Sequence, residues 1–242
     1  MIPDEARRLW CTLAGDDEAL RPATTTVVRG SRGIAPRGWT GVVRLGDACL
    51  IEAGEADAAV LELLTSVSDP SDAEQINRSL RPVHTLGPAE LAYLPVGGEP
   101  ADVRCDGQLR EVRVASLRGW LSSLPDVDIE ESSIADMDQV LVLYGGGNLL
   151  GAAGHLDWPA RIGHVGVLVA PSARGTGVGS SLAAAATRRV LEHGRKPQWR
   201  AATANTASRR IARRIGYREI GRQFSFELGP RRTEGPNTTA DR

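Results

Sequence analysis

The sequence predicts an α/β fold in which a mixed central sheet is flanked by helices and is preceded by a smaller α/β module. Three observations predict it. Residues 162–189 run from a β-branched apolar segment through a glycine-rich turn into an alanine-rich helical segment. Residues 199–215 repeat the order of strand and helix. Residues 140–156 contain two short apolar runs joined by Gly-Gly-Gly-Asn, which is typical of a hairpin.

The bulk composition is that of a soluble globular protein. The 242 residues are 41% hydrophobic and 24% charged, and a net charge of −1 gives no field that would attract nucleic acid or a membrane. Cys11, Cys49 and Cys105 include no C-x-x-C pair, which favours neither a zinc site nor disulfides. Neither a signal peptide nor a run of ~20 apolar residues is found. We therefore expect a cytoplasmic protein that binds no nucleic acid, membrane or metal.

The N-terminal α/β module is assigned to residues 1–100. Its predicted elements are, in order, a helix over 3–15, a strand over 24–29, hairpin strands over 39–45 and 48–52, and helices over 56–67 and 71–80. The segment 86–94 fits a short helix or a strand equally well. The Gly-Gly-Glu-Pro sequence that begins at Gly97 is the strongest linker signal, so we place the domain boundary near residue 100.

The second domain is assigned to residues 101–229. Its predicted elements are, in order, a helix over 114–124, an acidic and irregular stretch over 126–138, hairpin strands over 140–144 and 149–156, the two strand–helix units, and a last pair of strands over 218–220 and 223–228. Residues 230–242 contain almost no apolar side chains and are predicted to form a disordered tail.

The turn after the 162–169 strand has the features of an anion-binding loop. Pro171 stops the strand, and Arg-Gly-Thr-Gly-Val-Gly then leads from Arg174 into a helix. N–H groups at a helix N-terminus lack helical partners, and the helix dipole favours a phosphate there. A nucleotide-hydrolase loop would need Gly-Lys-Ser/Thr, and a dinucleotide-binding turn would need glycine in place of Ser180. A tight turn without a ligand stays open as an alternative.

Two blocks of sequence resemble the GNAT acyl-CoA transferases. Arg174, Gly177 and Gly179 fit the R-x-x-G-x-G pyrophosphate loop of that superfamily. The segment PQWRAATANTASRRIARRIGY, which begins at Pro197, has the N-x-x-S and Gly-aromatic spacing of its second CoA-binding motif. This segment is most similar to the branch that contains the zwittermicin A N-acetyltransferase. The resemblance covers roughly residues 126–228.

The resemblance implies a GNAT fold with splayed central strands and a site for acetyl-CoA that needs no metal. Backbone groups of Val167, Leu168 and Val169 would pair with the amides of pantetheine. The side chain of Asn205 would lie beside the pantetheine arm, with Ser208 in the same motif. The pyrophosphate would be bound by backbone N–H groups of one loop, whose residues are Arg174, Gly175, Thr176, Gly177, Val178, Gly179 and Ser180.

The resemblance also implies how an acceptor amine is activated. Where many GNAT enzymes have a glutamate on the central strand, this chain has His164, which could remove a proton near neutral pH; a buried packing histidine is the alternative. The tyrosine that often protonates the leaving thiolate is replaced by Ala212, so the general acid stays unassigned. Glu130 and Glu131 are candidates for an acidic wall around a cationic amine, or for a solvated acidic loop.

We therefore expect an N-acetyltransferase that moves an acetyl group from acetyl-CoA to an amine of a small molecule, in antibiotic resistance or in tailoring a secondary metabolite. Two alternatives stay open, a protein or peptide N-acetyltransferase and a non-catalytic acyl-CoA-binding module. The N-terminal module is either a degenerate copy of the GNAT fold or a wall of the acceptor pocket. The oligomeric state, a homodimer included, and the acyl chain length are left open.

Overall fold

The computed structural model of the protein describes residues 2–30, 33–54, 58–67 and 69–229, so the predicted tail over 230–242 lies outside the described residues. The strands are β1 (Thr25–Val28), β2 (Thr40–Leu45), β3 (Ala48–Glu52), β4 (His84–Tyr93), β5 (Gln108–Arg113), β6 (Gln139–Gly145), β7 (Asn148–Trp158), β8 (Ile162–Val169), β9 (Lys196–Ala202) and β10 (Arg218–Glu227). They form one mixed sheet in the order β1-β3-β2-β10-β4-β9-β8-β7-β6-β5.

Helices flank this sheet, which confirms the predicted fold class. They are α1 (Asp4–Ala14), α2 (Ala58–Ser66), α3 (Ala73–Leu80), α4 (Arg118–Leu121), α5 (Asp126–Ser132), α6 (Val178–Glu192) and α7 (Thr206–Arg214). Short 3-10 turns occupy Val114–Leu117, Ile134–Asp136 and Pro171–Ala173. In the part of the chain that is described, no helix has the length and apolar character needed to cross a membrane.

Both predicted hairpins are confirmed. β2 and β3 pair antiparallel as far as Leu45 and Ala48, and Gly46 adopts a φ of 59° in the turn between them. β6 and β7 pair as far as Gly145 and Asn148. The segment that fitted either a helix or a strand is β4, which pairs antiparallel with β9 and β10.

The prediction of an irregular acidic stretch over 126–138 was wrong, because these residues contain α5 and a 3-10 turn. Pro125 precedes the helix, and Asp126 and Asp128 lie in its first turn, where the helix dipole stabilises carboxylates. The single helix predicted over 114–124 is instead a 3-10 turn followed by the four residues of α4.

The predicted last pair of strands is one strand, β10. Gly221 lies inside it at a point where an added Cβ would collide with the main-chain carbonyl of Arg44 in β2. Glycine therefore permits a close approach of two strands here. The register with β4 shifts between Glu219 and Gly221 and again between Gln223 and Ser225, so β10 is irregular without turning back.

Strands from both halves of the chain alternate in the middle of the sheet. β4 lies between β9 and β10, and β10 pairs on its other edge with β2. The predicted boundary near residue 100 therefore falls between strands of one continuous sheet, and the division into domains stays a prediction.

Helices cover both faces of the sheet around β8. On one face, Val165 packs with α6 and α7, in a cluster that contains Leu182 and Ala212. On the other face, Ile162 belongs to a cluster with Trp10 of α1, while Leu168 packs beside the segment that follows α5. The N-terminal helix α1 and the acidic helix α5 thus cover the same face of β8.

Candidate functional site

β8 and β9 diverge in the centre of the sheet and leave a cleft between them. Their parallel pairing covers Ile162 to His164 on β8 and Lys196 to Gln198 on β9. Beyond these residues β8 continues to Val169 without pairing to β9. The gap is a cavity of about 440 Å³, and it confirms the expected splay of the central strands.

One wall of the cleft is the free edge of β8. Residues 165–169 line the cavity, and their opposite edge pairs with β7 as far as Gly151 and Val169. Within the described residues no strand pairs with the cleft-facing edge of this stretch, so its backbone groups are available to a ligand. Val167, Leu168 and Val169, the expected pantetheine-pairing residues, lie on this edge.

The turn after β8 forms an open concave surface at the N-terminus of α6. Gly175 and Gly177 have φ values of 78° and 93°, which favour glycine, and a Cβ at either position would contact nothing within 4 Å. The N–H of Ser181 donates to the Gly177 carbonyl at 3.0 Å, so the N–H groups of residues 178–180 precede the helical pairing. This arrangement suits an anion such as a diphosphate.

Most side chains of this turn stabilise the turn or its packing against the core. The Thr176 hydroxyl donates to the Ala173 carbonyl at 2.7 Å, and Val178 is buried in the core. Gly179 permits close packing of α7, because a Cβ there would lie 2.8 Å from Cδ1 of Ile211. Ser180 is buried but lines the cleft. Apart from the Arg174 guanidinium, recognition of an anion here would therefore depend on the main chain.

The second wall is built by β9 and the N-terminus of α7. Asn205 caps α7, since its Oδ1 accepts the Ser208 N–H at 3.0 Å, as its position in the sequence predicts. The Ser208 hydroxyl in turn accepts the indole N–H of Trp199 at 3.0 Å. Both predicted residues therefore line the cleft and also fix its shape.

Arginine side chains give the cleft a positive lining. Arg174, Arg200, Arg210 and Arg214 all line the cavity. Burial lowers the pKa of the Arg200 guanidinium. The last three arginines were missed by sequence reasoning, although the spacing of Arg210 and Arg214 places them on one face of a helix.

The acidic helix α5 bridges the two walls. Oδ2 of Asp128 lies 2.7 Å from Nη2 of Arg174, and the Asn205 amide donates to the carboxylate of Glu131. Of the two predicted acidic residues, Glu131 lines the cavity, whereas Glu130 is exposed and lies outside the lining. Asp128 lines the cavity and was missed by sequence reasoning.

His164 lies at the vertex where β8 and β9 separate. It is buried and lies outside the residues that line the cavity, with its ring 5.0 Å from the ring of Trp158. The pKa of His164 is lowered to about 4, first by burial and second by the charge of Arg200, while the Gln198 side chain acts in the opposite direction. Among the described atoms Nδ1 has no hydrogen-bond partner. The ring is therefore desolvated, and its role as a base stays a prediction.

A buried alanine occupies the position at which the resemblance led us to look for a tyrosine. Ala212 is buried in the cluster that contains Trp199 and Tyr217. The Tyr217 hydroxyl is hydrogen-bonded to Thr187 at 3.0 Å, and burial raises its pKa. The cavity lining, as far as the chain is described, contains no tyrosine, and its hydroxyl groups are those of Ser132, Ser180 and Ser208. The general acid remains unassigned.

The donors around the cleft are main-chain amides, arginines and serines. In the described ranges, no group of three or more His, Cys, Asp or Glu side chains is arranged to bind a metal ion. The arrangement can bind an elongated anionic ligand, with its charged end at the glycine turn and an amide-bearing middle along β8.

Residues 153–225 match the family model of the FR47-like proteins. This match runs from within β7 to within β10 and contains both strands of the cleft. The chain is therefore similar to FR47-like proteins over both walls of the cleft, while α5, which also lines the cavity, lies outside the match. Comparison with curated protein sequences gives no match.

Solved structures resemble the fold at low identity. An acetyltransferase of the GNAT family from Colwellia psychrerythraea is 14% identical with a TM-score of 0.48, and the likeness covers 61% of this chain and 58% of that protein, less than two thirds of its length. A GCN5-related N-acetyltransferase-like protein from Streptococcus suis is 15% identical with a TM-score of 0.47, over 77% of this chain and 88% of its own.

A third solved structure, yncA from Salmonella typhimurium with its cofactor acetyl-CoA, is 15% identical with a TM-score of 0.40. The likeness covers 55% of this chain and 99% of yncA. These comparisons concern the fold, and they carry no conclusion about what this chain binds.

Proposed function

We propose that the protein is an acetyl-CoA-dependent N-acetyltransferase that acts on an amine of a small molecule. The observation that carries the proposal is the cleft between β8 and β9, which has unpaired main chain along one wall and a glycine turn at its end. The similarity to FR47-like proteins over residues 153–225 supports it. An extended ligand with amides in its middle and a diphosphate at one end fits this cleft.

Residues of both walls would bind acetyl-CoA, which supplies the activated acetyl group. N–H groups of residues 175–180 would bind the diphosphate, with the Arg174 guanidinium beside them. The free edge formed by Val167, Leu168 and Val169 would pair with the amides of pantetheine. On the opposite wall, the Asn205 amide group would lie beside the pantetheine arm, with Ser208 behind it. The positive lining favours a ligand of this charge.

An acceptor amine must be neutral when it attacks. An alkyl ammonium has a pKa of roughly 10, so a group of the protein or a water molecule has to take its proton. His164 is our candidate base, and because it lies behind the cleft lining, a proton would reach it through water. The amine nitrogen then bonds to the acetyl carbon while the carbon–sulfur bond breaks, and the extra proton left on the nitrogen passes through water to the departing sulfur. A thiolate whose conjugate acid has a pKa near that of cysteine, ~8.5, can leave without a dedicated acid.

The acceptor side carries negative charge. Glu131 lines the cleft and Glu130 lies exposed on the same helix. These carboxylates favour a cationic amine over an anionic acceptor. A role in antibiotic resistance or in secondary-metabolite tailoring rests on the resemblance to the zwittermicin A branch alone.

A second candidate function is a non-catalytic acyl-CoA-binding module. It is favoured by Ala212, which fills the usual tyrosine position with a packed methyl group, and by the burial of His164. Both functions require CoA in the cleft, so only turnover separates them.

Two measurements test the proposal. Titration calorimetry with acetyl-CoA is expected to give micromolar binding, and thiol release from acetyl-CoA is expected with part of a panel of small amines. Binding without thiol release from any amine or peptide would favour the binding module. Release with peptides alone would identify a peptide acetyltransferase, and no binding of acetyl-CoA would contradict all three.

The role of His164 needs a separate test. His164→Gln and His164→Ala are expected to reduce turnover about 100-fold or more, in line with the usual contribution of a general base of ~10²–10⁴, while affinity for acetyl-CoA stays within twofold. Unchanged turnover in both variants would remove His164 from the mechanism and leave the cleft assignment intact.

A further inference from the structure

One face of α5 contacts both walls of the cleft. Asp128 and Glu131 are three residues apart, so they project from the same side of the helix. Asp128 pairs with Arg174 at the end of β8, and Glu131 accepts from Asn205 at the end of β9. The helix is fixed to β8 as well, since a Cβ at Gly166 would collide with the Ser132 carbonyl.

These contacts involve the side chains of Arg174 and Asn205, to which our proposed function assigns the binding of CoA. Oδ1 of Asn205 caps α7, so its Nδ2 is the group free to meet a ligand, and that atom donates to Glu131. Arg174 stands beside the anion-binding turn, and its Nη2 lies 2.7 Å from Asp128. Two carboxylates therefore occupy the donors at the diphosphate and pantetheine positions.

A diphosphate in the glycine turn would meet the Asp128 carboxylate as a like charge. The Asp128 side chain is only 26% exposed, so solvent screens this repulsion less than it would at an open surface. The diphosphate also offers Arg174 a second anionic partner, with more charge than one carboxylate. The same donor cannot serve both anions at full strength.

We propose that α5 is an internal competitor of the cofactor: Asp128 and Glu131 satisfy the cleft's donors in the free protein, and CoA has to exchange both contacts as it binds. This inference rests on the proposed function and adds its regulation. The exchange weakens CoA binding in the native protein. It also frees Glu131, our candidate acceptor-side carboxylate, whenever CoA is bound, which couples the cofactor to a cationic acceptor.

Neutral variants of α5 test the exchange. Asp128→Asn is expected to bind CoA about fivefold more tightly than the native protein, because one partly screened like charge is removed. Glu131→Gln should give a smaller gain. The matched control is Asp126→Asn, which makes the same change two residues earlier on α5, outside the cleft lining, and should leave the affinity within twofold. Melting temperatures report whether each variant is folded.

Hydrogen exchange of residues 126–132 gives a second readout. Saturating CoA should speed exchange there in the native protein and have a smaller effect in the Asp128→Asn/Glu131→Gln variant. Equal CoA affinity in Asp128→Asn and Asp126→Asn, or unchanged exchange on CoA binding, would overturn the competitor while the proposed function stands. Failure of the native protein and every variant to bind CoA would overturn the proposed function, and the competitor with it.

Discussion

The two ends of β8 differ in how their polar groups are placed relative to solvent. At the vertex, His164 is paired in the sheet with Gln198 and is buried against Trp158. At the open end, residues 165–169 keep one edge free, and the strand leads into a turn with a φ of 93° at Gly177. One strand therefore combines a closed polar cluster with an open main-chain surface.

The comparison separates two kinds of recognition. The open end meets a ligand through N–H and C=O groups, so its specificity depends on backbone shape. The closed end acts through side chains whose properties depend on the exclusion of water, and the lowered pKa of His164 is the clearest sign of that exclusion. Changes at the vertex should alter stability and turnover, whereas changes at the open end should alter CoA affinity.

The largest expected effect is at the vertex and depends on pH. Burial lowers the pKa of His164 from 6.5 to about 4, so between these values the unfolded chain binds a proton that the folded protein does not. The free energy of unfolding should therefore fall as the pH drops from about 6.5 to about 4, by about 3 kcal/mol from this group. Urea unfolding at several pH values measures the loss. His164→Gln should remove most of this dependence, and an equally steep loss in that variant would show that the vertex is not sealed.

The next effect is at the open end. Arg174→Glu places a negative charge beside the anion-binding turn, and the affinity for CoA should fall roughly 30-fold. Calorimetry measures it, and Arg78→Glu on the exposed side of α3 is the control for a change of charge elsewhere. Similar losses in both variants would mean that the effect comes from net charge and not from this end of β8.

Backbone shape at the open end is tested by Gly177→Ala. The left-handed conformation there should cost about 1 kcal/mol of stability without a steric clash, and CoA affinity should fall severalfold as the turn relaxes. Gly146→Ala is a matched control, because Gly146 has a φ of 58° and equally open surroundings but lies in the β6–β7 turn. It should lose similar stability and keep its CoA affinity. Equal affinity in the two variants would contradict main-chain recognition.

The smallest effect is expected at the outer rim of the cleft. Arg214→Gln removes one lining charge and should weaken CoA binding about twofold, in line with a solvent-screened contact. Its neighbour Arg213 points to Glu219 at 3.0 Å instead, so Arg213→Gln should leave the CoA affinity unchanged. Calorimetry on the pair distinguishes the cleft face of α7 from its outer face.

The parts of the site that sequence reasoning found are local ones. Arg174, Gly177 and Asn205 belong to turns whose conformation depends on a few adjacent residues, and the structure brings all three to the cleft. Arg200 and Asp128 were missed because they reach the cleft only through the divergence of two strands and the packing of α5. No spacing in the sequence indicates that these two residues lie at the same cleft.

In the fold, too, features set by adjacent residues were predicted and features set by the packing of distant elements were not. The β2–β3 and β6–β7 hairpins were predicted because their turns contain glycine, which readily adopts the positive φ that the structure shows there. The single course of β10 was missed, since Gly221 resembles a turn residue in the sequence and its need for space appears only when β2 lies beside it. The short α5 was missed because its dipole-stabilised acidic turn looks like a solvated loop in composition alone.

The position of β10 has a consequence for biosynthesis. β2 and β4 both pair with β10, the last described strand. During translation each of them therefore has an unpaired edge until residue 227 has left the ribosome. Pairing across so large a separation in sequence is slow, and open strand edges invite association with other nascent chains. Ribosome-bound intermediates of this protein should therefore depend on chaperones until β10 has emerged.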